Sequence, residues 1–115
     1  MADLKVTRND EAARYELRMS DETRTDTLAG FAAFEQGSGR VRFTSTEIDP
    51  AFRGQGLGET LASEALADVA RRGDTIVPLC PFIASYLREN EVAGAIVEWP
   101  DGTPLDSATQ GEPPA

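Results

Sequence analysis

Leu4 and Val6, and further on Tyr15, Leu17 and Met19, alternate with polar or charged residues. A period of two is that of a strand buried on one face. Asn9-Asp10-Glu11-Ala12 reads as the turn between these strands, and Asp21-Glu22-Thr23-Arg24 as a polar hairpin connection into a third. The third run, Leu28 to Phe34, is apolar at both parities, which predicts a central strand covered on both faces. Gly37-Ser38-Gly39 closes another hairpin before a fourth strand, Arg40 to Ile48, so the first half of the chain is predicted to be an antiparallel meander.

The fourth strand breaks its own period. Val41 and Phe43 share a parity with Ser45 and Glu47, but the next apolar residue, Ile48, falls on the other. One extra residue, a β-bulge, restores the phase and splays the strand, as bulges do beside active sites. Leu57, Leu61, Ala65, Leu66 and Val69 then recur at helical spacing, predicting a helix from about Gly56 to Arg72 with Gly73 just past its end. Thr75 to Leu79 reads as a short buried strand, parallel to the fourth through a helical crossover. A second helix is expected from Pro81 to Asn90, turning Phe82, Ile83, Tyr86 and Leu87 inward. The fold class is therefore α/β, a compact mixed, mainly antiparallel sheet of about five strands with two main helices.

Between the fourth strand and the first helix stands Arg53-Gly54-Gln55-Gly56-Leu57-Gly58. Glycine tolerates positive φ and has no Cβ to block close approach, so successive N–H groups of such a loop can converge on one anion. The helix behind adds unpaired N–H groups and the positive end of its dipole, which suits a diphosphate. No Gly-Lys pair occurs in the chain, which rules out a Walker loop, and the third glycine comes one residue too early for a dinucleotide fingerprint. The order strand, Arg53-x-x-Gly56-x-Gly58, helix resembles the acetyl-coenzyme A loop of the Gcn5-related N-acetyltransferases. Thr46-Glu47-Ile48-Asp49-Pro50 before the loop, and Val77-Pro78-Leu79-Cys80-Pro81-Phe82-Ile83 with Tyr86-Leu87-Arg88 after it, extend the match to a small single-domain subfamily marked by Leu-Cys-Pro. The resemblance covers roughly residues 14 to 90. It implies acetyl-CoA as cofactor, bound by Ile48, Arg53, Gly54, Gln55, Gly56, Leu57 and Gly58, with the pantetheine arm held by backbone groups where the fourth strand splays. Ser45 and Asn90 stand where that subfamily usually has histidine, and the chain has no histidine. Imidazole chemistry is excluded.

Length and charge narrow the rest. A chain of 115 residues has room for one domain, expected over residues 1–100. The segment 101–115 has three prolines but no lysine, arginine or aromatic residue, and reads as a disordered acidic tail. No apolar stretch nears the roughly 20 residues needed to span a bilayer, and a single cysteine cannot form an internal disulfide. A cytoplasmic monomer or weak dimer, with no membrane, nucleic-acid or metal partner, is expected. The net charge of −9 weighs against nucleic acid and favours a cationic acceptor such as a polyamine, an aminoglycoside or a lysine side chain.

Three residues are candidates for chemistry. Glu47, beside the expected bulge, can take the proton an amine must lose before attacking a thioester. Cys80, before the helix-starting Pro81, is placed at an N-cap, where it can serve as base, as acyl-accepting nucleophile or as a wall of the pocket. For Tyr86 the resemblance implies the general acid that protonates the departing coenzyme A thiolate. The predicted function is acetyl transfer from acetyl-CoA to an amine by direct attack. A non-catalytic module that binds and senses acyl-CoA is the alternative.

Overall fold

The computed structural model describes residues 3–52 and 54–100. The expected tail lies outside them. Strands β1 (Asp3–Asn9), β2 (Arg14–Ser20), β3 (Thr27–Gly37) and β4 (Arg40–Ile48) form the antiparallel meander. A 3-10 turn at Pro50–Phe52 leads toward helix α1 (Leu57–Arg71), followed by β5 (Thr75–Pro78), helix α2 (Pro81–Glu89) and β6 (Ile96–Val97). The sheet runs β1-β2-β3-β4-β5-β6, with β5 parallel to β4 and β6 parallel to β5. Both helices pack against the sheet and against each other, α1 across β1 to β5 and α2 against β4 and β5, and they share one core with it.

The sixth strand corrects the expected count. Two residues carry no readable period, so tertiary bonds define β6: the Glu98 N–H donates to the Ile76 carbonyl at 2.8 Å, and Glu98 pairs with Arg40 at 2.9 Å. The first helix is as its stripe predicts. Leu57, Leu61, Ala62, Ala65, Leu66 and Val69 are buried, and Gly73, at φ 79°, donates to Ala70 while Asp74 donates to Val69. This pair of bonds is a Schellman cap, which needs the left-handed conformation that glycine adopts without strain.

Opposite α1 lie Tyr15, Leu17 and Met19 of β2, Ala32 and Phe34 of β3, and Val41 and Phe43 of β4. Tyr15, Phe34 and Phe43 form an aromatic cluster with centroids 5.5 to 6.2 Å apart. The other face of β3 is not covered by a helix, contrary to expectation. Phe31 and Ala33 are half-buried there beneath side chains: the Arg14 guanidinium lies 4.7 Å over the Phe31 ring, and the Glu16 carboxylate is bonded by Asn9, Arg14 and Arg18. Long arginine stems cover apolar surface as well as pairing charge, so an apolar strand face needs no second layer. In α2, Ile83 and Ala84 are buried and Tyr86 and Leu87 half-buried, but Phe82 stays 39% exposed, with the end of its ring against Gly58 of α1.

Candidate active site

The register of β4 changes between two pairs. Phe43 stands opposite Phe34 and Ser45 opposite Ala33, which leaves Thr44 as the extra residue of a β-bulge. The bulge returns Thr46 and Ile48 to the helix-covered face shared by Val41 and Phe43. Glu47, which would otherwise share that face, is turned to the opposite side and exposed.

The bulge also marks where β4 leaves β5. Their pairing ends at Phe43 and Pro78, and the last tie is the Cys80 N–H donating to the Phe43 carbonyl at 2.8 Å. Beyond it β4 continues through Ile48 while the other chain turns into α2, so a gap opens between the strand edge and the helix N-terminus. The Asp49 N–H donates to the Ala29 carbonyl at 2.7 Å, which sets the alternation of the β3–β4 ladder and turns the main-chain groups of Thr46 and Ile48 toward the gap. Gly30 makes this path possible. A Cβ there would lie 2.5 Å from Ile48 Cδ1 and 2.6 Å from the Glu47 carbonyl oxygen, so only glycine lets the Ile48 side chain lie back across β3.

Along the chain, β4 and the 3-10 turn lead to the glycine loop. Arg53 falls outside the described residues. Gly54 and Gly56 have φ of 83° and 73°, and Cβ atoms built on them meet nothing within 4 Å. Their requirement for glycine is thus conformational, and the space beside them is open to a ligand. Gly56 is the N-cap of α1 and has no side chain to cap with, which leaves the N–H groups of Leu57, Gly58 and Glu59 without intrahelical acceptors. That is a cradle for an anion. The individual loop residues differ in what they offer. Gln55 is exposed, whereas the Leu57 side chain is buried in the core and brings only its N–H. Gly58 lies within α1, where a Cβ would come within 2.9 Å of Phe82 Cζ, so it accommodates the contact with α2.

Cys80 is the N-cap of α2, as its place before Pro81 predicts, but its side chain makes no cap bond. It is 4% exposed, and its Sγ lies 3.3 Å from Thr46 Oγ1 across the gap. Glu47 lines a cleft of about 300 Å³ with Leu28, Phe31, Ile48 and Asp49 among its neighbours. Arg14, which could pair with Glu47 across the sheet, is bonded to Glu16 at 2.8 Å. Tyr86 lines a separate cleft of about 140 Å³ with Glu59, Phe82, Ser85, Glu89 and Asn90. The structure therefore brings Thr46 and Cys80 together across the gap, places Ile48 in the cleft that Glu47 lines, and sets Tyr86 in a second cleft. Thr46 and Gly30 were missed as site residues. For Gly30 a signal existed, an isolated glycine inside a strand pattern, which marks close backbone approach.

No curated protein matches the chain. The family model of the GCN5-related N-acetyl-transferases matches residues 14–96, from the first residue of β2 to the first of β6. A splayed parallel strand pair, a bulge at its mouth and a glycine-capped helix behind it all fall within that span, and the chain belongs to the GCN5-related N-acetyltransferase family of acyltransferases.

Proposed function

We propose that the chain uses acetyl-CoA as acyl donor and transfers the acetyl group to a cationic amine by direct attack. The observation that carries this reading is the pair of open positive-φ glycines at the head of α1, together with a β4 that parts from β5 beside Cys80. Its phosphate end is supplied by backbone N–H groups, which bind an anion despite a net charge of −9. Arg53 stands in the loop sequence and adds a cation there.

When bound, the thioester supplies an acyl carbon activated toward attack by nitrogen. The main-chain N–H of Thr46 faces the gap and is the candidate donor to the acyl oxygen, a contribution worth about 3 to 4 kcal/mol in other acyl-transfer enzymes. Glu47 takes the proton that the amine gives up as the C–N bond forms, directly or through water, and Tyr86 returns one to sulfur as the C–S bond breaks. Glu47 sits on the far face of the sheet and Tyr86 on the helix side. An acceptor approaching from one side and a leaving group held toward the other is consistent with that division. The second carboxylate of the larger cleft, Asp49, supports a cationic acceptor. Cys80 is buried, which supports the wall role over that of nucleophile.

The Leu79-Cys80-Pro81 sequence supports placement in the small single-domain subfamily, with residues 1–100 as the domain. The lone cysteine and acidic composition support a cytoplasmic monomer or weak dimer. Among the described residues no helix is long and apolar enough to cross a membrane. The test is a thermal-shift titration with coenzyme A followed by thiol release from acetyl-CoA with a panel of amines. Ligand at 100 times its dissociation constant should stabilise the fold by about 2.7 kcal/mol. No shift would overturn the cofactor assignment, and a shift without thiol release would overturn the transfer.

A further inference from the structure

Resting on the acetyl-CoA reading above, we propose that Thr46 sets the length of the acyl group this site accepts. The two arms of the gap are tied twice. At the apex the Cys80 N–H bonds the Phe43 carbonyl at 2.8 Å, and just beyond it Thr46 Oγ1 meets Cys80 Sγ at 3.3 Å. A linear ligand whose phosphates sit at the glycine loop and whose chain runs along β4 reaches this side-chain contact before it reaches the apex. Its terminal carbon stops there.

Neither partner can easily retreat. Cys80 is held by its N–H to Phe43 and by its carbonyl, which accepts the Ala84 N–H at 3.0 Å as the first bond of α2. Behind it the apex is closed by Phe43, which is fully buried, and by the buried Pro78. Thr46 stands on the face set by the Thr44 bulge, opposite the buried Ala32 in the ladder, and a β-branched side chain has few rotamers to move through. Removing its hydroxyl and methyl is the change that makes room for one or two more carbons while leaving both main-chain ties intact. The sequence could not show this, because Thr46 and Cys80 are separated by the whole of α1 and β5.

One methylene that a pocket must accommodate or reject is worth roughly 10- to 200-fold in discrimination. The experiment measures dissociation constants of acetyl-, propionyl- and butyryl-CoA by calorimetry, which needs no identified amine. The parent chain should bind acetyl-CoA at least about tenfold more tightly than butyryl-CoA. Thr46→Ala should bring the two within about threefold of each other, so that the two extra methylenes of butyryl-CoA are no longer rejected. Thr46→Val, which keeps the volume without the hydroxyl, should retain the parent ratio. If T46A does not fold, Thr46→Ser removes the methyl alone and should admit propionyl-CoA. A parent that binds none of the three thioesters overturns the acetyl-CoA reading and this inference with it. A parent that prefers acetyl-CoA, with T46A or T46S keeping the same preference, overturns the role of Thr46 alone, and so does a T46V that loses it.

Discussion

The Tyr15 hydroxyl donates to Asp68 at 2.6 Å and accepts from Arg8 at 3.2 Å, linking β1, β2 and the last turn of α1 at the end remote from the glycine loop. Burial and the bond to Asp68 push its pKa up to about 12, against the opposing pull of Arg8. Folding thus favours the neutral phenol. The stabilisation is complete below the ordinary phenol pKa of about 10 and is lost as pH rises through about 12. For Asp68, burial alone would raise the carboxyl, but the bonds from Tyr15 and Arg72 outweigh it and hold the group below its ordinary value. Its contribution is present above the ordinary carboxylate pKa and fades as pH falls through the folded value. Tyr15→Phe should cost about 1 kcal/mol at neutral pH, since Asp68 keeps Arg71 and Arg72. It should also flatten the alkaline limb of melting temperature against pH, and an unchanged limb would assign that limb to another group. At Glu47 the expected loss is kinetic: Glu47→Gln should lower turnover by about 10² to 10⁴ with little change in acetyl-CoA affinity. Parent-rate turnover in that variant would leave the amine to be deprotonated by solvent.

Three glycines position the elements around the gap, each for a different reason. At Gly30 an added Cβ meets the Glu47 carbonyl, and main chain cannot yield as a side chain does. Gly30→Ala should therefore destabilise the fold by about 1 to 3 kcal/mol and weaken coenzyme A binding by displacing the end of β4. At Gly56 the space is open but φ is 73°, so Gly56→Ala should cost about 1 to 2 kcal/mol and put a methyl group where the anion is proposed to sit. Gly58 has an ordinary helical conformation and conflicts only with the far end of the exposed Phe82 ring. Gly58→Ala gains up to about 1 kcal/mol of helix propensity and should leave the unliganded protein at least as stable. Melting curves of the three variants with and without coenzyme A check the order. A Gly30→Ala protein as stable as the parent would mean that β4 is not pinned at this point.

At the scale of the whole molecule, an acidic protein and a polyanionic ligand repel, and salt screens that repulsion over about 10 Å at 0.1 M. With a net charge of −9, coenzyme A affinity should hold steady or rise as salt increases from low concentration. A steep fall would show that local cations outweigh the overall field. The sequence by itself determined the meander, both helices and their caps, and the presence of a bulge in β4, because each rests on short-range periodicity or on a backbone conformation that few residues adopt. The glycine loop was legible for the same reason, and its order with the following helix carried the family. Only the tertiary structure decided the rest. The position of the bulge at Thr44 is a matter of pairing register with β3, and β6 exists only because Ile76 and Arg40 hold it. The covering of Phe31 by Arg14, the clearance at Gly30 and the contact of Thr46 with Cys80 join residues distant along the chain. No local pattern encodes such contacts; they arise when the sheet brings β2, β3, β4 and the start of α2 together.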